Sequence, residues 1–418
     1  MQIFKQTLSL VSFALLCAVA LSTSAFASDP EQLFGSRQSN FHPSLEVSEA
    51  YTDNYRQVER NEESEWTTTI SPQLLLALPG IDRNFSLTSL NVSPGGAAKS
   101  HFMSDAEAGF QGVFLYRADL EYNKDNSEDD GEYHSAQGLL QYAFPFGLTL
   151  EVSDVYTKNY DDFSEAGEER ADYDDNRIAA SAHYKVGEKL SLQLGYADYR
   201  LNYDSSRKSF EERDDKSLSM LVFYQIMPKT QFFLEYQRID VDYDQDIISD
   251  YTSDNYFVGL RFDATARIRG YIKVGYGEVD PDQSVIDSSD ETLFEGRLDY
   301  PFGGSSNLAL TGRRQVEVTV DEFYQDVLAT EGFVTFSHKL THKLQLVLDA
   351  GLREEEYRDD GSRTDRTDDI TAAGVALNYD LRDWLDTSLT YDFVDRDSDV
   401  VNNDYQSNTV MATIAFNF

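Results

Sequence analysis

Asp395, Asp397 and Asp399 form a D-x-D-x-D run, spaced like the first ligands of a calcium-binding loop. The sixth place, where such a loop needs glycine, holds Val400, and no glutamate stands at the twelfth, so a solvated acidic stretch is the better reading. His338 and His342 have i,i+4 spacing, but they flank an expected hairpin and do not share the helical face that a metal pair would need. His183 has Ser181 near it, yet no G-x-S-x-G is present and no third group marks a nucleophile. The one cysteine, Cys17, falls in a segment expected to be removed, which excludes disulfides, thiol chemistry and cysteine zinc sites. The sequence therefore points to no catalytic residue, no metal site, no cofactor and no enzyme.

A different set of charges remains: Arg117, Asp119, Glu121, Glu235, Arg261, Glu295, Arg297, Asp299, Arg313, Asp349 and Arg353. Each sits on the polar face of a segment whose other face is apolar. They could line a polar conduit with both signs of charge, or they could simply pair across neighbouring strands, as any large polar interior requires. Both readings stay open at this point.

The elements that position them have a period of two. Leu344, Leu346, Leu348, Ala350 and Leu352 oppose Gln345, Asp349 and Arg353; Leu190, Leu192, Leu194 and Tyr196 oppose Ser191, Gln193 and Gly195. Phe232 to Tyr236, Val258 to Phe262 and Leu385 to Phe393 repeat the pattern. Such alternation marks a strand with one greasy and one polar face. A soluble sandwich alternates too, and the connections arbitrate. One set is tight: Pro145-Phe146-Gly147, Gly187-Glu188-Lys189, Pro228-Lys229, Thr265 to Arg267, Thr341-His342-Lys343 and Arg382 to Trp384. The other is long and acidic: residues 124–132, 161–175, 205–215, 244–254, 280–290, 354–369 and 395–404. Short turns at one rim and long polar loops at the other are the signature of an outer-membrane barrel. The expected fold is all-β: a transmembrane antiparallel barrel of about 18 strands, with short periplasmic turns and long acidic extracellular loops.

The expected strands begin with residues 43–58, 64–78, 112–123 and 135–144 and end with 387–395 and 405–418. Residues 79–110 break the rhythm, being too long for a periplasmic turn. They read as a periplasmic excursion, an inward plug or two further strands, the first two preferred. In some rising strands the apolar parity switches: Tyr199, Leu201 and Tyr203 follow Leu190 to Tyr196, while Asp198 and Arg200 take over the apolar face. Either bulges occur there, or the strands rise above the lipid; the second is preferred because nine to eleven residues already span a bilayer. The tyrosines are then expected near the interface as a girdle.

Both termini carry addresses. Lys5, the apolar run from Leu8 to Leu21 and the Ala25-Phe26-Ala27 site read as a signal peptide over residues 1–27, followed by a periplasmic segment, 28–42, and the barrel, 43–418. A lipoprotein built on Cys17 is disfavoured by Leu16 before it and by the position of the cysteine inside the apolar run. At the other end Val410, Ala412, Ile414, Phe416 and Phe418 share a face; a terminal aromatic there, Phe418 with Phe416, resembles the signal read by the outer-membrane assembly machinery. No second apolar run is long enough for a spanning helix. The chain has 35 basic and 74 acidic residues, a net of −39, and loss of the signal's single lysine makes it −40. That surface repels nucleic acid. Acidity can mark disorder, but 26 Tyr and 26 Phe argue for an ordered, pleated surface. The expected setting is the outer membrane of a Gram-negative cell, with its lipid and its assembly machinery as partners.

Pro43-Ser44-Leu45-Glu46-Val47 leads into Tyr51-Thr52-Asp53-Asn54-Tyr55, and Trp66 to Ile70 leads into Ser71-Pro72-Gln73-Leu74-Leu75-Leu76. A Pro-led strand ending in an aspartate-asparagine pair, then a Ser-Pro strand, resembles the opening of the putative beta-barrel porin type 2 family. The resemblance covers about the first 40 mature residues and carries over no functional residues. It implies a role in export of exopolysaccharide or capsule, as conduit or accessory, with polysaccharide and polysaccharide-export proteins as partners. A general or cation-preferring porin is the main alternative, and a structural or adhesive plugged barrel the second.

Overall fold

β-Branched and aromatic residues at every second position favour pleated strands, and lipid offers no partner for a free backbone N–H or C=O, so such strands must close on themselves. The computed structural model shows this closure. It describes residues 40–78, 102–103, 109–161, 170–265, 268–283, 288–319, 324–358 and 366–418. The expected signal peptide, most of segment 28–42 and most of 79–110 lie outside these residues.

The strands are β1 (Phe41–Thr52), β2 (Glu65–Leu78), β3 (Gly109–Asn123), β4 (Gly131–Ala143), β5 (Leu148–Asp161), β6 (Ala171–Val186), β7 (Leu190–Tyr203), β8 (Arg213–Met227) and β9 (Thr230–Tyr243). They continue as β10 (Tyr251–Thr265), β11 (Ile268–Pro281), β12 (Ser289–Phe302), β13 (Ser306–Val318), β14 (Asp326–Lys339), β15 (Leu344–Arg358), β16 (Arg366–Arg382), β17 (Leu385–Ser398) and β18 (Tyr405–Asn417). Each pairs antiparallel with its neighbour, and β1 pairs with β18 from Ser44↔Asn417 to Thr52↔Thr409, so the 18-stranded sheet has no free edge.

Strands run from 12 residues in β1 to 17 in β16, longer than a bilayer requires. The sheet therefore rises beyond the lipid. Pairing along β7 and through the upper parts of β8 and β9 is uninterrupted, so no bulge explains the parity switch. The register irregularities of β8–β9, β10–β11 and β16–β17 sit instead beside the short turns. One such turn, between β12 and β13, is missing from the sequence reading; Gly303 and Gly304 take φ of 62° and 74° there, which glycine adopts without strain.

Three expectations need correction. β1 ends at Thr52, not at residue 58, because Asp53 and Asn54 turn their side chains back onto the backbone and onto β18. The acidic stretches 161–175, 354–369 and 395–404 are partly strand, since solvated charges are tolerated on a sheet that stands above the lipid. Asp395 and Asp397 accordingly lie on β17, and only Asp399 enters the loop. Tyr199, Tyr203 and Tyr243 do not form a girdle: they point inward and are buried. The outward row near the long-loop rim is Tyr236, Tyr256 and Tyr276, aligned across β9, β10 and β11. At the short-turn rim Tyr142–Phe144–Phe146, Tyr300–Phe302–Phe336 and Trp384–Phe416 make the second aromatic belt.

Candidate functional site

Closure gives every inward side chain the same environment, the barrel lumen, and most of the expected lining residues meet partners there. On β9 to β12, Lys273 lies directly opposite Glu295 in register; its Nζ is 3.0 Å from Glu295 and 3.1 Å from Glu235, above the Phe257 ring at 3.9 Å. Arg313, the register partner of Glu295, reaches Glu331 at 2.8 Å and Glu317 at 3.1 Å. Arg353 completes the chain, 2.9 Å from Glu331, 2.8 Å from Glu317 and 2.7 Å from Glu355. Beyond it Asp368 accepts from Arg366, Arg396 and Ser398. The facing wall has a smaller group: Arg117 meets Asp119 at 2.7 Å, Glu46 at 3.1 Å and the Ser71 hydroxyl at 2.9 Å, while Glu121 accepts from Tyr160 at 3.0 Å.

Arg297 and Asp299 pair at 3.2 Å and are more exposed, nearer the short-turn rim. Asp349 is set apart: it accepts from Thr335 but has no ion-pair partner among the described residues. Apart from Asp349, each carboxylate of the belt meets a cation, with Lys273, Arg313 and Arg353 shared among Glu235, Glu295, Glu317, Glu331 and Glu355. Removing one member of a buried pair strands the other, which costs more than the pair contributes. Sequence reasoning missed Lys273, Glu317, Glu331, Glu355, Arg366, Asp368 and Arg396; strand parity marks them as inward once the strand ends are known.

Two features narrow the lumen. Phe102 and Met103, between β2 and β3, lie inside the barrel against strands on its other side. The Phe102 ring contacts Phe233 at 5.2 Å, Phe223 at 6.1 Å and Tyr271 at 4.7 Å, with the Arg261 guanidinium 5.5 Å above it. The Met103 N–H donates to the Gln193 side chain at 3.1 Å, and Arg261 donates to the Met103 carbonyl at 3.5 Å. Gly259 makes this packing fit, because a Cβ there would stand 2.4 Å from the Phe233 ring. Phe223, Phe233 and Phe257, aromatic faces that could stack on a sugar, are therefore covered by Phe102 and Lys273.

The second feature is the upper β13–β14 hairpin. β12–β13 pairing stops at Phe294↔Arg314, while β13 and β14 remain paired up to Val318↔Asp326. Val316, Val318 and Leu328 lie on the hairpin face that would point outward in a continuous wall, yet they are only 9%, 3% and 1% exposed. They pack with Ile239, Val241, Tyr251 and Val279 of the inner wall. Gln325, near the hairpin tip, exchanges hydrogen bonds with the Ser249 backbone of the β9–β10 loop at 3.0 and 3.4 Å. The hairpin top has turned into the mouth. Behind it, Glu291 of β12 reaches Arg358 of β15 at 2.5 Å, and Arg358 also holds Asp326 at 2.5 Å.

The remaining candidates stay apart. His338 bonds Ser306 at 2.8 Å, and His183 packs edge-on against Phe223. Among the described residues no three of His, Cys, Asp and Glu converge as a metal cluster.

A closed 18-stranded antiparallel barrel with a lipid-facing apolar surface, two aromatic belts and a polar lumen defines an outer-membrane channel of the porin type. Residues 34–418 match the family described as "Putative beta-barrel porin 2", and the chain belongs to that family. Similar solved structures include OpdO of Pseudomonas aeruginosa (12% identity, TM-score 0.47, covering 91% of this chain and 98% of that one) and OccAB4 of Acinetobacter baumannii (11%, 0.45, 92% and 100%). OpdK of Pseudomonas aeruginosa, solved with vanillate, is 8% identical with a TM-score of 0.46, covering 91% and 99%. No curated protein matches the chain.

Proposed function

We propose that this channel serves export of an exopolysaccharide or capsule across the outer membrane, as the conduit or as an accessory to it. The observation that carries the reading is the charge-paired belt. Its carboxylates are tied to Lys273, Arg313 and Arg353, while neighbouring strands carry inward amides and hydroxyls such as Gln193, Ser217, Gln237, Ser253 and Asn255. Groups of that kind, with bridging water, suit a polyhydroxyl chain. The role implied by the family resemblance points the same way. In this conformation Phe102 and the β13–β14 hairpin occupy the path, so a passing chain requires both to shift. A cation-preferring porin is the second reading, favoured by the carboxylates of Asp349 and Asp392, which have no basic partner among the described residues.

The test is a clean deletion assayed for surface polysaccharide and for uptake of small solutes. Lost or retained-inside polysaccharide is the expected result. Unchanged polysaccharide with impaired solute uptake overturns the export reading in favour of the porin.

A further inference from the structure

We propose that Asp349, Asp392, Thr390 and Thr335 form a divalent-cation site in the lumen wall, suited to Ca²⁺. Asp349 of β15 and Asp392 of β17 are both opposite Gly374 of β16 in register, and both face the lumen. Their Cα atoms are two strand spacings apart, about 10 Å. Gly374 places no side chain between them, so the two carboxylates can lean toward one ion.

The carboxylates higher in this wall, Glu317, Glu331, Glu355 and Asp368, each meet a cation, and Asp349 and Asp392 meet none among the described residues. The nearest guanidiniums are engaged: Arg353 with Glu317, Glu331 and Glu355, and Arg396 with Asp368. Among the described residues three buried oxygens have no hydrogen-bond partner: Asp349 Oδ2, Asp392 Oδ1 and the Thr390 hydroxyl. Asp349 is 6% and Thr390 8% exposed. Thr390 lies two residues before Asp392 on the same inward face, which sets its hydroxyl beside that carboxylate. Thr335, opposite Asp349 in register, donates to Asp349 Oδ1 at 2.5 Å and orients it.

Two like charges side by side, Asp349 buried and Asp392 half-buried, are unfavourable without a counter-ion. A hard cation answers the charge and the orphaned oxygens together. Calcium accepts irregular sets of carboxylate, hydroxyl and water oxygens, whereas the later transition metals such as zinc and copper favour nitrogen or sulfur. The site is independent of the export reading, because it is read by binding and not by transport.

The experiment is equilibrium dialysis of the folded full-length barrel in detergent against ⁴⁵Ca²⁺ alone, at a salt concentration that suppresses loose binding to the acidic loops. Relative to wild type, Asp349→Asn/Asp392→Asn is expected to lose one tightly bound equivalent, and Thr390→Val to bind that equivalent about tenfold more weakly. Folding of each variant is checked by its heat-modifiable gel mobility; if the double variant does not fold, Asp349→Asn alone is read in the same way. An unchanged number of equivalents in a folded variant overturns the proposal, and so does a wild-type barrel that binds no tight equivalent.

Discussion

Glu65 shows how much one side chain can hold. It is 1% exposed at the start of β2, and its carboxylate accepts from the backbone N–H groups of Trp66, Lys124, Asp125 and Asn126 and from the Asn126 amide. Burial pushes its pKa up, but these hydrogen bonds outweigh burial and hold it below the usual glutamate value. A carboxyl depressed in this way stabilises above its unfolded pKa, and that contribution is lost as pH falls through the folded value. Glu65→Gln is expected to weaken the β3–β4 loop by about 2 kcal/mol at neutral pH. Proteolysis at 124–130 should then become fast at pH 7 in the variant, whereas in wild type it appears only in acid; equal protection of both at pH 7 would refute the role. The Asp53-Asn54 pair of the family-like opening acts similarly. Asp53 accepts from the Asn408 N–H at 2.7 Å and its amide at 2.8 Å, and the Asn54 amide donates to the Gln406 carbonyl at 2.9 Å. The motif thus clasps the seam between β1 and β18 at the loop rim.

Among the elements, the β13–β14 hairpin controls the mouth. Its docking rests on Val316, Val318 and Leu328 packed against the inner wall, and on the Gln325–Ser249 hydrogen bonds. Placing Asp at Val318 or Leu328 would bury a charge without a partner and destabilise the docked form by about 3 kcal/mol. That shifts a docked-to-open equilibrium by roughly a hundredfold. Larger single-channel conductance in planar bilayers is the expected outcome for both variants, and unaltered conductance in a folded variant would show that the hairpin does not limit flow. The same element explains a blind spot of sequence reading. Val316, Val318 and Leu328 read as an ordinary apolar strand face, and their alternation does not say that this face meets the inner wall of the barrel and not lipid.

For the whole molecule, closure is the governing fact. The backbone N–H of Phe418 donates to the Pro43 carbonyl at 3.0 Å, fastening the chain's last residue to its first strand, while the aromatic ring stays exposed on the lipid side. Deleting Phe418, or writing Phe418→Asp, is expected to lower assembly into the outer membrane, seen as reduced surface labelling and periplasmic degradation. Normal labelling of the deletion would remove Phe418 from the assembly signal.

The sequence by itself determined the strand period, the two classes of connection, the strand number and the outer-membrane class. These follow from the i, i+2 geometry of a strand and from the demand of lipid for apolar outward faces, both local along the chain. Only the tertiary structure decided which lumen charges are satisfied. Arg353 finds Glu317 and Glu331, and Glu291 finds Arg358, across tens of residues and several strands. The same holds for Phe102 and the inward hairpin. Inward parity says that a side chain enters the lumen, but what it meets there depends on the curvature that closure imposes and on segments that cross the barrel. Neither is encoded in the spacing of neighbouring residues.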